Sequence, residues 1–168
     1  TPQPAIHRAI MQAADMPVFT GVGGGVTRGM RVVNLANDAE HEGAFGVVVN
    51  APTSNEVIHM LKQVLEIPVV VTVASVKTDV AARIEAGADI LNVSGAQHTP
   101  EIVRLIRERF PDVPIIATGG PTDGTILETI RAGANAITYT PPTNGELFAQ
   151  AMARYRRELD GGPEPGEP

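Results

Sequence analysis

Three copies of a short glycine motif constrain the fold of this chain more than any other sequence feature. The motifs are Gly43-Ala44, Ala86-Gly87-Ala88 and Ala132-Gly133-Ala134, and their glycines are 44 and 46 residues apart. Each motif follows an amphipathic stretch and precedes a strand-like segment. Self-similarity at such a period is typical of a repeated supersecondary unit.

The second and third copies align at a constant offset of 46 residues. The aligned pairs are Pro68 with Pro114, Thr72 with Thr118, and Gly87 with Gly133. Short runs of Val, Ile and Ala without alternation predict strands buried on both faces of a parallel sheet. The glycine predicts a left-handed turn that ends a helix. The unit is therefore strand–helix–glycine–strand–helix, and three units predict six parallel strands.

The pattern also predicts where these elements lie. The predicted strands are 17–20, 45–50, 68–72, 89–94, 114–118 and 135–140, and a leading helix over 4–14 precedes them. Thr53 with Glu56, and Thr143 with Glu146, have the spacing of capping boxes, and Thr99 before Pro100 indicates a third helix start. We expect a single domain over 1–160 and a disordered Gly/Pro/Glu tail over 161–168.

Composition excludes several classes of function. Net charge is −6 and aromatic residues are 4% of the chain, which disfavours nucleic-acid binding because that needs a basic face and stacking rings. Cysteine is absent, so disulfides and thiolate metal sites are excluded. The apolar runs are too short to span a membrane, and no signal peptide is evident. We expect a cytoplasmic protein without membrane contact.

Two segments resemble the last two βα units of the phosphate-binding TIM barrels. They are Ile115-Ile116-Ala117-Thr118-Gly119-Gly120 and Ala132-Gly133-Ala134-Asn135-Ala136-Ile137. That superfamily includes thiamine-phosphate synthase, barrels of tryptophan and histidine biosynthesis, and flavin-binding dehydrogenases. The resemblance implies ligand binding at the carboxyl ends of the strands, with Gly119 and Gly120 as backbone donors. Thr140-Pro141-Pro142 replaces the family's glycine near the last strand, and proline has no N–H to offer a phosphate.

Three further segments are similar to a small bacterial family loosely labelled "hydrolase". They are Val26-Thr27-Arg28-Gly29, Val49-Asn50-Ala51-Pro52 and Thr138-Tyr139-Thr140-Pro141-Pro142.

The chain is shorter than an eight-stranded barrel, which takes about 250 residues. Its 168 residues hold three quarter-units, so we expect a (βα)6 TIM-like partial or small barrel with a leading helix. The alternative is an open doubly wound sheet of flavodoxin type, with shuffled strand order. An open barrel leaves two sheet edges that proteins normally cover, and we expect a homodimer.

The candidate functional residues all follow predicted strands. The candidate ligand-binding residues are Gly23, Gly24, Gly25, Arg28, Asn50, Asn92, Ser94, Gly119, Gly120 and Thr140. His98 is the candidate general acid or base because its ordinary pKa lies near neutrality, and Lys77 is the alternative. Glycine N–H groups and these basic side chains favour a small anionic ligand. No metal site is expected, because the four histidines do not cluster along the sequence.

Three functions fit these residues. The first is an enzyme without a cofactor that acts on a phosphorylated or carboxylated metabolite by lyase, isomerase or hydrolase chemistry. The second is an FMN-binding barrel, because Val93-Ser94-Gly95-Ala96-Gln97-His98 resembles the loop before the active-site histidine of nitronate-oxidising barrels. The third is a non-catalytic module that binds a ligand or forms oligomers.

Overall fold

The structure is a computed structural model that describes residues 3–159. Packing divides the chain into two compact units, one reaching Thr138 and the other beginning at Tyr139. The predicted tail over 161–168 lies outside the described residues. The expectation of one domain over 1–160 stays a prediction.

The first unit alternates helices and strands, as the repeat predicts. Its helices are α1 (Pro4–Ala13), α2 (Met30–His41), α3 (Asn55–Val64), α4 (Val80–Glu85), α5 (Thr99–Arg109) and α6 (Asp123–Arg131). Its strands are β1 (Phe19–Gly23), β2 (Gly46–Val49), β3 (Val69–Val73), β4 (Ile90–Val93), β5 (Ile115–Thr118) and β6 (Ala136–Thr138). The second unit contains α7 (Asn144–Leu159). Across residues 3–159, no helix is both long enough and apolar enough to cross a membrane.

The six strands pair in parallel and in sequential order from β1 to β6. Right-handed crossovers between neighbouring parallel strands place all the connecting helices on one face of the sheet. The sheet curls as an open (βα)6 half-barrel with β1 and β6 at its edges, which confirms the predicted TIM-like fold. The flavodoxin-like alternative is wrong, because that architecture requires a shuffled strand order.

The core lies between the helices and one face of the sheet. Alternate strand residues such as Val47, Val71 and Leu91 are completely buried there against Ile58 and Leu61 of α3. Side chains of consecutive strand residues point to opposite faces. The intervening residues therefore belong to the concave face, which the connecting helices do not cover.

The repeated glycines form the predicted left-handed turns. The φ angles of Gly43, Gly87 and Gly133 are +92°, +115° and +111°. Each ends a helix just before a strand, where a residue with a Cβ atom would be strained.

The predicted helix starts are partly confirmed. Thr143 and Glu146 form the predicted capping box, because each side chain accepts the other residue's N–H, at 3.2 and 2.7 Å. The backbone N–H and the hydroxyl of Thr143 both donate to the Glu146 carboxylate, and these two bonds hold the pKa of the Glu146 carboxyl below its ordinary value. The other two starts are wrong by one residue. Ser54 rather than Thr53 precedes α3, and Thr99 is already helical, because its hydroxyl accepts the Gly95 N–H instead of capping.

Candidate functional site

Polar side chains occupy the carboxyl-end half of the concave face. Thr72 and Asn92 are register partners on β3 and β4, and Asn92 Nδ2 donates to Thr72 Oγ1 at 3.2 Å. One step further along the strands, Thr118 Oγ1 donates to Ser94 Oγ at 3.3 Å. The two contacts form successive polar rows across β3, β4 and β5. Hydroxyl and amide groups in such rows can hydrogen-bond a ligand that enters the concave face.

Asn50 lies at the same level, directly after β2. Its N–H donates to the Gly23 carbonyl at 2.9 Å, which joins the ends of β1 and β2. The side chain is exposed. It lines a shallow cavity of about 230 Å³ together with Gly21, Gly23, Gly25, Val26, Thr27 and Val48. The structure therefore brings Asn50, Asn92 and Ser94 to one edge of the sheet.

The first glycine segment is partly strand and partly loop. β1 extends to Gly23, three residues beyond its predicted end at Thr20, because Gly21 and Gly23 continue the pairing with β2. Gly24 has a φ of +99° and donates its N–H to the Thr27 carbonyl at 3.0 Å. Gly25 is exposed beside it.

The second glycine segment has one N–H already in use. Gly119 donates to the Thr138 carbonyl at 3.2 Å, so this donor is not free for a phosphate. Gly120 follows with a φ of +80°. Within the pair that the resemblance selects, Gly120 is therefore the better backbone donor to an anion at the carboxyl ends.

The three basic candidates lie in different loops at this edge. Arg28 follows β1, and its Nε donates to the Gly25 carbonyl at 3.1 Å. Lys77 follows β3 and is exposed. His98 follows β4 and is 63% exposed, with its Nδ1 atom 3.3 Å from Glu101 Oε2. The carboxylate orients the imidazole and leaves Nε2 open to solvent or to a ligand.

Thr140 lies in the second unit, beyond the end of β6, and is exposed. Its assignment as a ligand-binding residue stays a prediction.

Sequence reasoning missed two residues beside this edge. Arg83, on α4, donates to the Thr53 carbonyl, to Asn55 Oδ1 at 2.8 Å and to the Ala51 carbonyl at 2.9 Å. It thereby holds the loop between β2 and α3. Thr53 is the second: its side chain is buried and its hydroxyl has no hydrogen-bond partner. No motif marks Arg83, and the one motif that includes Thr53, its capping-box spacing with Glu56, suggested a capping role that Thr53 does not have.

Glu56 lies in the first turn of α3. A hydrogen bond from the Ser54 hydroxyl, and another from its own backbone N–H, lower the pKa of the Glu56 carboxyl from its ordinary value. An exposed carboxylate near a helix N-terminus is stabilised by the positive end of the helix dipole.

Comparison with solved structures supports the TIM-like fold. A 2,3-dimethylmalate lyase of the PEP mutase/isocitrate lyase superfamily matches with a TM-score of 0.68 and 17% identity, over 98% of this chain and 68% of that chain. A phosphonopyruvate hydrolase matches with a TM-score of 0.64 and 19% identity, over 95% of this chain and 66% of that chain.

A third match is the aldolase QR15, with a TM-score of 0.69 and 20% identity, over 93% of this chain and 80% of that chain. No protein-family model matches the chain, and no curated protein does. The chain spans about two thirds of the lyase and the hydrolase. At these identities the likeness concerns architecture, and the chain has the fold of a TIM-like α/β protein.

Proposed function

We propose that this chain is a small TIM-like enzyme that binds an anionic metabolite, phosphorylated or carboxylated, at the carboxyl ends of its strands. The observation that carries the proposal is the pair of polar rows, Thr72 with Asn92 and Ser94 with Thr118, on a sheet face that the connecting helices leave open. Enzymes of this architecture place their active sites at this end of the sheet.

Each candidate residue has a distinct task in this proposal. Asn50, Asn92 and Ser94 orient the ligand by hydrogen bonds, and Gly120 offers a backbone N–H. Arg28 and Lys77 supply positive charge. Gly23, Gly24 and Gly25 complete the proposed ligand-binding set.

Lyase, isomerase or hydrolase chemistry fits this set best. The similar structures carry the names of a lyase, a hydrolase and an aldolase. Such reactions need proton transfer, and His98 is the proposed general acid or base because Glu101 leaves its Nε2 atom open. Lys77 is the alternative proton carrier. Neither assignment requires a cofactor.

A ligand screen tests the proposal. We would measure the melting temperature of the protein with phosphorylated metabolites, 2-oxo acids, dicarboxylates and FMN. Each compound that raises the melting temperature would then be measured with the Asn92→Ala variant. Asn37→Ala is the matched control, because that asparagine is exposed on α2. We expect an anionic ligand to stabilise the wild type and Asn37→Ala but not Asn92→Ala. Three results would overturn the proposed site. They are equal stabilisation of all three proteins by the ligand, stabilisation by FMN alone, and no stabilisation by any compound.

Turnover of the identified ligand tests the enzymatic part. Removal of a general acid or base typically slows a reaction by about 10²–10⁴-fold. We expect His98→Gln to show such a loss with unchanged ligand affinity. Binding without conversion of the ligand by the wild type contradicts enzymatic function and leaves a binding module.

A further inference from the structure

A second cavity lies between the β1–α2 loop and the start of α3. Its volume is about 310 Å³, and its lining residues are Gly24, Thr27, Arg28, Gly29, Val32, Pro52, Thr53, Ser54 and Val57. Val32 and Val57 belong to α2 and α3, so this cavity opens on the helix side of the loop. Thr27 also lines the smaller cavity beside Asn50, so one loop segment separates the two.

Thr53 has the only buried side-chain polar atom without a partner among residues 3–159. The residue is 5% exposed. Its backbone is fully engaged, since its N–H donates to the Asn50 carbonyl at 3.0 Å and its own carbonyl accepts from Arg83. A buried hydroxyl without a hydrogen bond is costly. The Thr53 hydroxyl therefore carries a free-energy cost of burial in the unliganded protein. A ligand group that accepted a hydrogen bond from it would remove this cost.

The cavity lining contains one basic residue and no acidic residue. Arg28 lines it, and within the described residues only its Nε atom is engaged, by Gly25. α3 begins at the cavity with ten residues, and the side chain of its N-cap, Ser54, does not cap it. The first N–H groups of a helix attract anions. Glu56 lies in the first turn of α3 but does not line the cavity.

Gly24 packs directly against the Thr53 hydroxyl. A Cβ atom at position 24 would lie 2.3 Å from Thr53 Oγ1. The hydroxyl is thus covered by a glycine in the unliganded protein, and contact between an oxyanion and this hydroxyl requires the glycine segment to shift. Glycine backbone permits such a shift at lower steric cost than any other residue.

We propose that this cavity is an oxyanion subsite, in which Arg28 supplies charge, Thr53 donates its hydroxyl proton and the first turn of α3 donates N–H groups. The inference rests on the proposed function, because it places the charged end of the same anionic ligand. It assigns a binding role to Thr53, which no sequence motif indicated. The ligand group is a phosphate or a carboxylate.

Titration with inorganic phosphate and with acetate tests this subsite and distinguishes the two anion types. Backbone amide chemical shifts of Ser54 and Asn55 report binding directly. Thr53→Val preserves shape and removes the hydroxyl, and Thr53→Ser restores it. Thr129→Val is the matched control, because Thr129 is also buried but its hydroxyl donates to the Thr125 carbonyl at 2.9 Å.

We expect one anion to shift the Ser54 and Asn55 amides of the wild type, and Thr53→Val to raise its Kd by about tenfold or more, as for loss of a hydrogen bond to a charged group. Thr53→Ser should recover most of the affinity. Arg28→Gln should weaken binding and reduce its dependence on salt. The folding stability of Thr53→Val should not fall, because its hydroxyl has no partner in the unliganded protein.

Absence of binding by both anions, or equal Kd values for the wild type and Thr53→Val, overturns the subsite. The outcome is separable from that of the proposed function. If phosphate binding requires Thr53 while no metabolite binds in a way that requires Asn92, the subsite stands and the proposed function fails. If binding of a metabolite requires Asn92 but not Thr53, the proposed function stands and the subsite fails.

Discussion

Individual residues at the amino ends of the strands make equivalent contacts in the second and third repeats. Asp89 Oδ2 accepts the Val69 N–H at 2.9 Å, and 46 positions later Asn135 Oδ1 accepts the Ile115 N–H at the same distance. A basic side chain from the preceding helix completes each site: Lys62 binds Asp89 at 2.7 Å. The aspartate and the asparagine thus act as equivalent acceptors for the first N–H of a strand.

This equivalence predicts the outcome of substitutions at Asp89. Asp89→Asn keeps an acceptor oxygen and loses a half-exposed ion pair with Lys62, and such pairs contribute about 0–1 kcal/mol. Asp89→Ala leaves the part-buried Val69 N–H without a partner, which costs about 1–3 kcal/mol. Urea unfolding of both variants measures the difference. Equal destabilisation by Asn and Ala would show that the ion pair, and not the backbone acceptor, stabilises this site.

At the scale of elements, most of the fold follows from the sequence, whereas the site follows only in part. Proline, apolar runs and glycine locate all six strands, because each marks a backbone requirement that is local in sequence. The end of β1 was missed because glycines at 21 and 23 resemble a loop, and only pairing with β2 makes them a strand. The burial of Thr53 and the reach of Arg83 to the same loop depend on tertiary packing, which no local pattern encodes.

Alanine substitutions at two glycines, one in a left-handed turn and one in a helix, should change the folding stability in opposite directions. Gly87 has a φ of +115°, and a Cβ atom there would lie 2.8 Å from Lys62 Cβ, so Gly87→Ala should cost at least about 1–2 kcal/mol. Gly124 is the second residue of α6, where a Cβ atom meets only Thr122 Oγ1 at 3.8 Å, so Gly124→Ala should stabilise by up to about 0.5 kcal/mol. Thermal unfolding compares the two. A stabilising Gly87→Ala would contradict the assigned left-handed turn.

The whole first unit is a half-barrel whose two edge strands have no further strand partners among residues 3–159. Unpaired edges expose backbone N–H and C=O groups that proteins normally cover. We therefore expect a homodimer, with a mass in light scattering twice the 17.7 kDa of one chain. A mass of one chain that persists across a wide range of protein concentrations would contradict this expectation.

The same architecture explains how a short chain can carry a site. Sequential parallel pairing brings the loops after all six strands to one edge, so residues far apart in sequence, such as Asn50, Asn92 and Gly120, converge there. The opposite edge carries the ion pair of Lys62 with Asp89 and the repeated backbone acceptors. The proposed binding site and these stabilising contacts thus lie at opposite ends of the strands.

A crystal structure of the complex with the metabolite that emerges from the screen tests this division most directly. The account predicts that the ligand lies on the concave face within hydrogen-bond distance of Asn92 or Ser94, with its charged group directed towards Arg28. Density for the ligand at the amino ends of the strands, beside Lys62 and Asp89, would contradict it.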